Sequence, residues 1–121
     1  MILVDTSVWI DHFHRGDTLL LTALNRGQVL GHPLVIEELA LGSIKNRSTV
    51  LRSLADLPQA PVISHDEVMA TIDGNDLWGR GLSASDIRIL GSSLVVLGCQ
   101  LYTRDRKLKL AAQTLGVEVV D

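Results

Sequence analysis

The sequence predicts an α/β fold in which helices flank a mostly parallel sheet. Residues 1–4 are apolar and do not alternate with polar residues, as expected of a short central strand buried on both faces. Segments with strand character then alternate with segments of helical periodicity, which favours parallel strands joined by helices. With 121 residues and 46% hydrophobic side chains, the chain is long enough for one core, so we expect a single domain over residues 1–121.

Capping and turn residues divide the chain into its predicted elements. Each predicted helix has apolar residues at helical spacing, a polar residue or proline near its start, and a glycine, proline or loop at its end. In chain order these helices cover about residues 8–15, 19–24, 34–41, 49–57, 65–72, 86–97 and 106–115. Short apolar runs between them predict further strands at residues 28–30, 61–63, 100–102 and 117–120, the last of these at an outer edge of the sheet.

Individual residues justify these boundaries. The residues that can begin helices are Thr6 or Ser7, Asp17, Pro33, the capping box at residues 64–67, Ser83 or Ser85, and Asp105. Pro58 and the glycines at positions 16, 27, 42, 98 and 116 are placed to end helices. Residues 73–76 are expected to break or bend the helix that starts with the capping box.

The composition excludes several classes of protein. Cys99 is the only cysteine, which rules out an internal disulfide and a cysteine-based metal cluster, and we expect it in the core. No run approaches the roughly 18 uncharged apolar residues that a membrane span needs. No basic residues precede the first apolar run, unlike in a secretory signal, so we expect a cytoplasmic protein. The net charge of −3 does not exclude a nucleic-acid partner, because bound cations would offset acids gathered in one site.

Two acidic residues follow predicted strands. Asp5 comes directly after the first strand, and Asp105 lies between the strand at residues 100–102 and the next helix. In a parallel sheet, the carboxyl ends of the strands and the starts of the following helices lie along one edge, where such folds bind ligands. We therefore expect Asp5 and Asp105 to meet at that edge.

Two further acids lie on the apolar faces of predicted helices. Glu38 falls between Leu34 and Leu41, inside the apolar arc of its helix. Asp86 shares its helix face with Leu90, Ser93 and Leu97, and we expect this face to be the core side. A carboxylate buried among leucines is costly unless it is paired or binds a cation, so both acids are candidate site residues.

Each of these acids also has an ordinary structural interpretation. Asp5, Asp86 and Asp105 could each cap the free N–H groups of a helix, and Glu38 could pair with Arg88. Taken together, the four favour a site, because several carboxylates on one edge repel each other unless a cation lies among them. Oxygen ligands without cysteine suit Mg²⁺ or Mn²⁺, the ions that promote phosphodiester hydrolysis.

The segments that carry these acids resemble the four signature segments of PIN-domain ribonucleases, especially the VapC-type toxins of toxin–antitoxin pairs. In order they are MILVDTSVW at residues 1–9, ELALG at 38–42, GRGLSASD at 79–86 and LYTRD at 101–105. The resemblance implies a PIN-like three-layer sandwich and an Mg²⁺- or Mn²⁺-dependent endoribonuclease acting on RNA. It also implies a homodimer and a cognate antitoxin whose tail enters the acidic groove.

The resemblance assigns roles by position. The metal-binding and catalytic acids would be Asp5, Glu38, Asp86 and Asp105, and the supporting hydroxyls would be those of Thr6, Ser7 and Thr103. Members of the family more often have small or apolar residues around the third acid. Arg88, two residues after it, departs from that pattern and could weaken metal binding or contact RNA.

These roles suggest a mechanism. Our hypothesis is that three aspartates hold one divalent ion while Glu38 positions a second ion or the attacking water, leaving 5′-phosphate and 3′-hydroxyl ends. Phosphate binding needs local positive charge. The candidates for contacts with the RNA backbone are Arg80, Arg104 and Lys107, each of which could instead be a solvated surface charge.

Two other functions fit parts of the sequence. A phospho-accepting receiver domain has a similar length and an acidic Mg²⁺ pocket. However, it needs an aspartate after the central strand and a lysine after a later one, and Ile63 is followed here by Ser64 and His65. A catalytically inactive PIN-fold module that binds RNA or protein would keep the fold, and only the presence of all four acids argues against it.

Overall fold

Four short parallel strands form one sheet, and the α/β prediction is confirmed. The computed structural model describes residues 1–121. Its strands are β1 (Ile2–Val4), β2 (Val29–Leu30), β3 (Gln100–Tyr102) and β4 (Glu118–Val119), in the spatial order β2-β1-β3-β4. Every neighbouring pair is parallel, and β4 is an outer strand as predicted.

Seven helices make up most of the remaining chain. They are α1 (Thr6–Arg15), α2 (Thr18–Asn25), α3 (Pro33–Ala40), α4 (Arg47–Ala55), α5 (His65–Gly74), α6 (Ala84–Val95) and α7 (Arg106–Thr114). Each matches a helix predicted from the sequence, with ends that differ by one or two residues. None of them is both long enough and apolar enough to cross a membrane.

The register of β1 determines where the candidate site lies. Val4 pairs with Tyr102 of β3, and the N–H of Asp5 donates to the carbonyl oxygen of Tyr102 at 2.9 Å. Asp5 and Thr103 therefore leave the sheet side by side at its carboxyl edge. The buried apolar side chains form one cluster around the sheet, and this cluster includes Cys99 as predicted.

The helix starts agree with the predictions, with one exception. The capping box at residues 64–67 is present, and Asp17 caps α2 by accepting from the N–H of Leu20. The N-cap position of α1, however, is occupied by Asp5 and not by a residue after it. The carboxylate of Asp5 makes no capping hydrogen bond, so it is free for other partners.

The strand predicted at residues 61–63 is wrong. The segment after α4 makes one isolated parallel bridge, between Gly31 and Gln59, and then continues without strand pairing. Two prolines in this segment lack a backbone N–H, so it cannot sustain a ladder of hydrogen bonds. Ile63 is nevertheless buried and packs against Gly91 of α6, which explains the apolar run.

The face of α3 differs from its predicted orientation, whereas that of α6 is buried as predicted at Leu90 and Ser93 but not beyond them. α3 is buried through Val35 and Leu39, so Glu38 is exposed and does not lie among buried leucines. α6 ends at Val95, and Leu97 beyond it is fully exposed. A helical wheel gives the apolar arc of a helix but not the part of that arc that meets another element.

Candidate metal centre

The four candidate acids line one pocket at the carboxyl edge of the sheet. Asp5 follows β1, Glu38 lies on α3, Asp86 is in the first turn of α6, and Asp105 directly precedes α7. The pocket has a volume of about 340 Å³. Its other lining residues are Thr6, Ser7, Ser83, Ser85, Ile10 and Ile89. Oxygen-bearing side chains therefore make up most of its walls.

Two hydroxyl groups orient the carboxylate of Asp5. Its Oδ2 accepts hydrogen bonds from the hydroxyl of Ser7 at 3.0 Å and from that of Thr103 at 2.8 Å. The Thr103 hydroxyl oxygen also accepts from the N–H of Asp105 at 3.0 Å. Thr103 thus couples Asp5 to the loop that carries Asp105. The Oδ1 atom of Asp5 accepts no hydrogen bond and remains available to a ligand.

Asp86 and Asp105 both act as helix caps. Oδ2 of Asp86 accepts from the N–H of Ser83 at 2.9 Å, which completes a capping box with the Ser83 hydroxyl. Oδ1 of Asp105 accepts from the N–H groups of Lys107 and Leu108 at 2.8 and 3.2 Å. In each case only one carboxylate oxygen is used, so capping leaves the other oxygen without a hydrogen bond, and both residues line the pocket.

Desolvation and the charges around Glu38 affect its pKa. Desolvation raises its pKa above the ordinary value of 4.5, and the negative charges of Asp5 and Asp86 raise it further, against a smaller opposing contribution from the Thr6 hydroxyl. The proposed pairing with Arg88 is absent, since no ion pair of the structure includes either residue. Glu38 is therefore a carboxylate near other carboxylates without a basic partner.

The side-chain oxygens that line this pocket are of the type that binds divalent cations, although they do not converge on one point. No three aspartate, glutamate, histidine or cysteine side chains are close enough together to hold an ion as they stand. Carboxylate and hydroxyl oxygens are the ligands that Mg²⁺ and Mn²⁺ prefer. The hydroxyl of Thr6 is buried and makes no well-formed hydrogen bond, although its proximity favours the ionised form of Glu38. The hydroxyl oxygen of Thr6 is thus a candidate ligand at the pocket wall that has no hydrogen-bond partner.

Arg104, a candidate RNA contact, is held by two acids outside the pocket. Its guanidinium lies 2.9 Å from a carboxylate oxygen of Asp11 and 2.6 Å from one of Asp17, and it stacks over the ring of Tyr102. The Tyr102 hydroxyl donates to Asp17 as well, at 2.6 Å. Sequence reasoning missed this cluster, because its members lie 87 and 93 positions apart along the chain.

The other two basic candidates have no acidic partner. Lys107 follows the cap of α7, and its ammonium nitrogen lies 2.8 Å from where a Cβ would stand on Gly81. Arg80 is exposed in the same loop, ahead of Asp86. Neither residue forms an ion pair, so both charges are available beside the acidic pocket. Ser83 and Ser85 also line the pocket, although the sequence marked them only as helix caps.

Comparison with known proteins identifies the family. No protein-family model matches the chain. The sequence is 52% identical over 121 residues to Ribonuclease VapC32 from two strains of Mycobacterium tuberculosis, CDC 1551 / Oshkosh and ATCC 25618 / H37Rv. The alignment covers 100% of this chain and 98% of each relative. Identity of this extent, on an α/β fold with the four acids at one edge of its sheet, shows that the chain belongs to the VapC-type family of PIN-domain ribonucleases.

Proposed function

We propose that this protein is an endoribonuclease toxin that hydrolyses RNA phosphodiester bonds with Mg²⁺ or Mn²⁺ and is neutralised by a cognate antitoxin. The observation that carries the proposal is the pocket, which is lined by carboxylates from four separate elements with no basic side chain paired to them. Such an arrangement is stabilised by a bound cation. The 52% identity to a ribonuclease of nearly the same length supports the same activity here.

The acids have separate roles in this proposal. Asp5, Asp86 and Asp105 would hold one divalent ion, and Glu38 would position a second ion or the attacking water. A divalent ion bound there supplies polarisation of the phosphoryl oxygen and offsets charge on the leaving oxygen. The raised pKa of Glu38 makes its carboxylate a better proton acceptor for the water it positions. Cleavage would leave 5′-phosphate and 3′-hydroxyl ends.

The supporting residues orient these groups. Ser7 and Thr103 hold the Asp5 carboxylate through their hydroxyls, and Thr6 offers a further oxygen at the pocket wall. Lys107 and Arg80 would contact the phosphates of RNA beside the pocket. Arg104 would contribute a weaker contact, because its guanidinium already binds two carboxylates.

The proposed partners are an antitoxin, RNA and a second copy of the chain. An antitoxin segment carrying positive charge would compete with metal and RNA for the acidic pocket. Several large apolar side chains are well exposed, among them Leu41, Trp78 and Leu97, which supports contacts with other protein chains such as those of a homodimer. We propose that the protein acts in the cytoplasm, where its proposed RNA substrate occurs.

The decisive test is Asp5→Asn, which removes one charge from the pocket while keeping its size. We expect the wild type to slow growth on expression and to cleave RNA with Mg²⁺ or Mn²⁺, and the variant to lose about 100-fold or more of that cleavage. Asp73→Asn is the matched control, because Asp73 is exposed on α5, outside the pocket. Equal toxicity of Asp5→Asn and wild type, or cleavage that persists with chelator, would contradict the proposal and favour an inactive binding module.

A further inference from the structure

A fully buried histidine, His32, lies between the two helices that carry Glu38 and Asp86. It occupies the N-cap position of α3 and is 0% exposed, as is Ser92 of α6. The Nδ1 atom of His32 accepts from the N–H of Leu34 at 3.1 Å, and its Nε2 atom lies 2.9 Å from the Ser92 hydroxyl. That hydroxyl in turn donates to the carbonyl oxygen of Pro61 at 2.6 Å.

The hydrogen bonds determine which nitrogen of His32 carries the proton. Leu34 donates to Nδ1, so Nδ1 carries none, and the Ser92 hydroxyl has given its single proton to Pro61. Nε2 must therefore be the protonated atom, and it donates to Ser92. Desolvation lowers the pKa of His32, which agrees with a neutral ring. The result is a directed relay from His32 through Ser92 to Pro61, with every polar atom satisfied.

The relay is placed symmetrically with respect to the acids. Glu38 lies six residues after His32 on α3, and Asp86 lies six residues before Ser92 on α6. At about 1.5 Å per residue, each acid is about 9 Å along its helix from the relay, towards the same pocket. No other side-chain hydrogen bond or ion pair joins these two helices. The relay is thus the side-chain link between the two segments that carry these acids.

We infer that His32 and Ser92 are positioning residues that fix the spacing of Glu38 and Asp86 and so set the affinity of the pocket for its divalent ion. The inference rests on the proposed function, since it concerns the same pocket. Burying a hydroxyl and an imidazole is costly unless all their hydrogen bonds are made. Apolar side chains of similar size would fill this space without that requirement, but they would not define the distance between the helices as narrowly.

The inference is tested by titrating the RNA-free protein with Mn²⁺ in a calorimeter. Ser92→Ala and His32→Asn each break the link between the helices, and asparagine can still cap α3 at this position. We expect both to bind Mn²⁺ about three- to tenfold more weakly than wild type, less than the loss caused by changing groups that contact ligands directly. Their RNA cleavage should recover when the Mn²⁺ concentration is raised. His32→Gln, which can still reach Ser92 with an amide N–H, should retain more of the affinity.

Two controls separate positioning from loss of stability. Leu20→Val removes one methylene from a fully buried side chain of α2 and should lower the melting temperature without changing Mn²⁺ affinity. Asp5→Asn should abolish the binding signal, which assigns it to the pocket. If Ser92→Ala lowers stability but binds Mn²⁺ as tightly as wild type, the inference is overturned while the proposed function stands. If wild type itself binds no Mn²⁺, the proposed function fails and the inference fails with it.

Discussion

Two groups of carboxylates lie next to each other in this protein, and they differ in whether a basic side chain is paired with them. Asp11 and Asp17 share the guanidinium of Arg104, whereas the four acids of the pocket have no basic partner. The groups are directly connected, because the Ser7 hydroxyl accepts from the N–H of Arg104 and donates to Asp5. The chain therefore places its own cation beside one acidic group, and we propose that the adjacent one binds an external cation.

The pKa values of the two groups move in opposite directions. Burial favours the neutral form of Asp17, but hydrogen bonds from Tyr102, the Leu20 N–H and Arg104 outweigh it and lower its pKa below 3.8. The pKa of Glu38 is raised instead, by partial desolvation of its carboxylate at the pocket and by the charges of Asp5 and Asp86. Asp17 is thus stabilised as an anion by the fold, whereas the charge of Glu38 is opposed by it. This difference distinguishes a structural ion pair from a site that binds a cation.

The largest effect is expected from Glu38→Gln, which removes the charge that the fold opposes. Cleavage should fall about 100-fold, because the carboxylate that positions water or metal is lost. The metal-free protein should become more stable by up to about 0.5 kcal/mol, a small gain because solvent screens an exposed group. RNA cleavage and thermal unfolding in chelator measure both effects.

Glu37→Gln is the matched control for this variant. Glu37 is the preceding residue of α3, is exposed and does not line the pocket. Its replacement should leave cleavage unchanged. Similar losses of cleavage from both variants would show that Glu38 has no special role, and a metal-free protein destabilised by Glu38→Gln would contradict the claim of repulsion.

An intermediate effect is expected from Arg104→Gln, which removes the guanidinium group that pairs with Asp11 and Asp17. The side chain of Asp17 is only 7% exposed, so it would lose a close partner at a poorly solvated position. We expect the free energy of unfolding to fall by about 1–2 kcal/mol, since Arg104 is itself 42% exposed and partly screened. Denaturant unfolding measures this change.

Arg15→Gln provides the comparison for Arg104. Arg15 pairs with Asp11 at 3.3 Å, and its side chain is 75% exposed. Its loss should change the free energy of unfolding by less than about 0.5 kcal/mol. Equal effects of the two arginine variants would mean that the Arg104 cluster contributes no more to the fold than an ordinary surface ion pair.

The smallest expected effect is a difference between Glu38 and Asp17 in how their contributions to folding stability depend on pH. The folded pKa of Glu38 lies above 4.5, so its contribution to stability declines as the pH rises from 4.5 through that folded value. Asp17 behaves in the opposite way, and its contribution is present above pH 3.8 and is lost as the pH falls through its lowered pKa. In chelator, the stability advantage of Glu38→Gln over wild type should therefore appear as the pH rises above 4.5. An advantage of the same size at pH 4 and pH 7 would contradict this assignment.

The sequence was sufficient to predict the parts of the site that depend on strand order. Asp5 and Asp105 each follow a strand, and parallel strands end at one edge, so their proximity required no knowledge of packing. The helix starts were also predictable, because the caps at residues 64–67 and at Asp17 involve only local hydrogen bonds. Local chemistry and topology together account for the sheet and most helix boundaries.

The errors concern packing between distant elements. Helical spacing predicts the Leu34–Leu41 side of α3 as its core face, yet Leu41 is 89% exposed, and the buried residues are Val35 and Leu39. Glu38 was therefore assigned to the pocket partly through an incorrect burial argument, while the resemblance to the family did not depend on it. The partners of Arg104 and the relay from His32 lie far apart in the chain, and no local pattern predicts them.

The central claim is that the acidic pocket binds a divalent cation through side chains from separate elements. The most direct measurement is an anomalous difference map from crystals of the wild-type protein grown with Mn²⁺. We predict a peak within coordination distance of carboxylate oxygens of Asp5 and of at least one of Asp86 and Asp105. A map with no peak in the pocket at saturating Mn²⁺, or with Mn²⁺ bound at surface carboxylates only, would contradict the account.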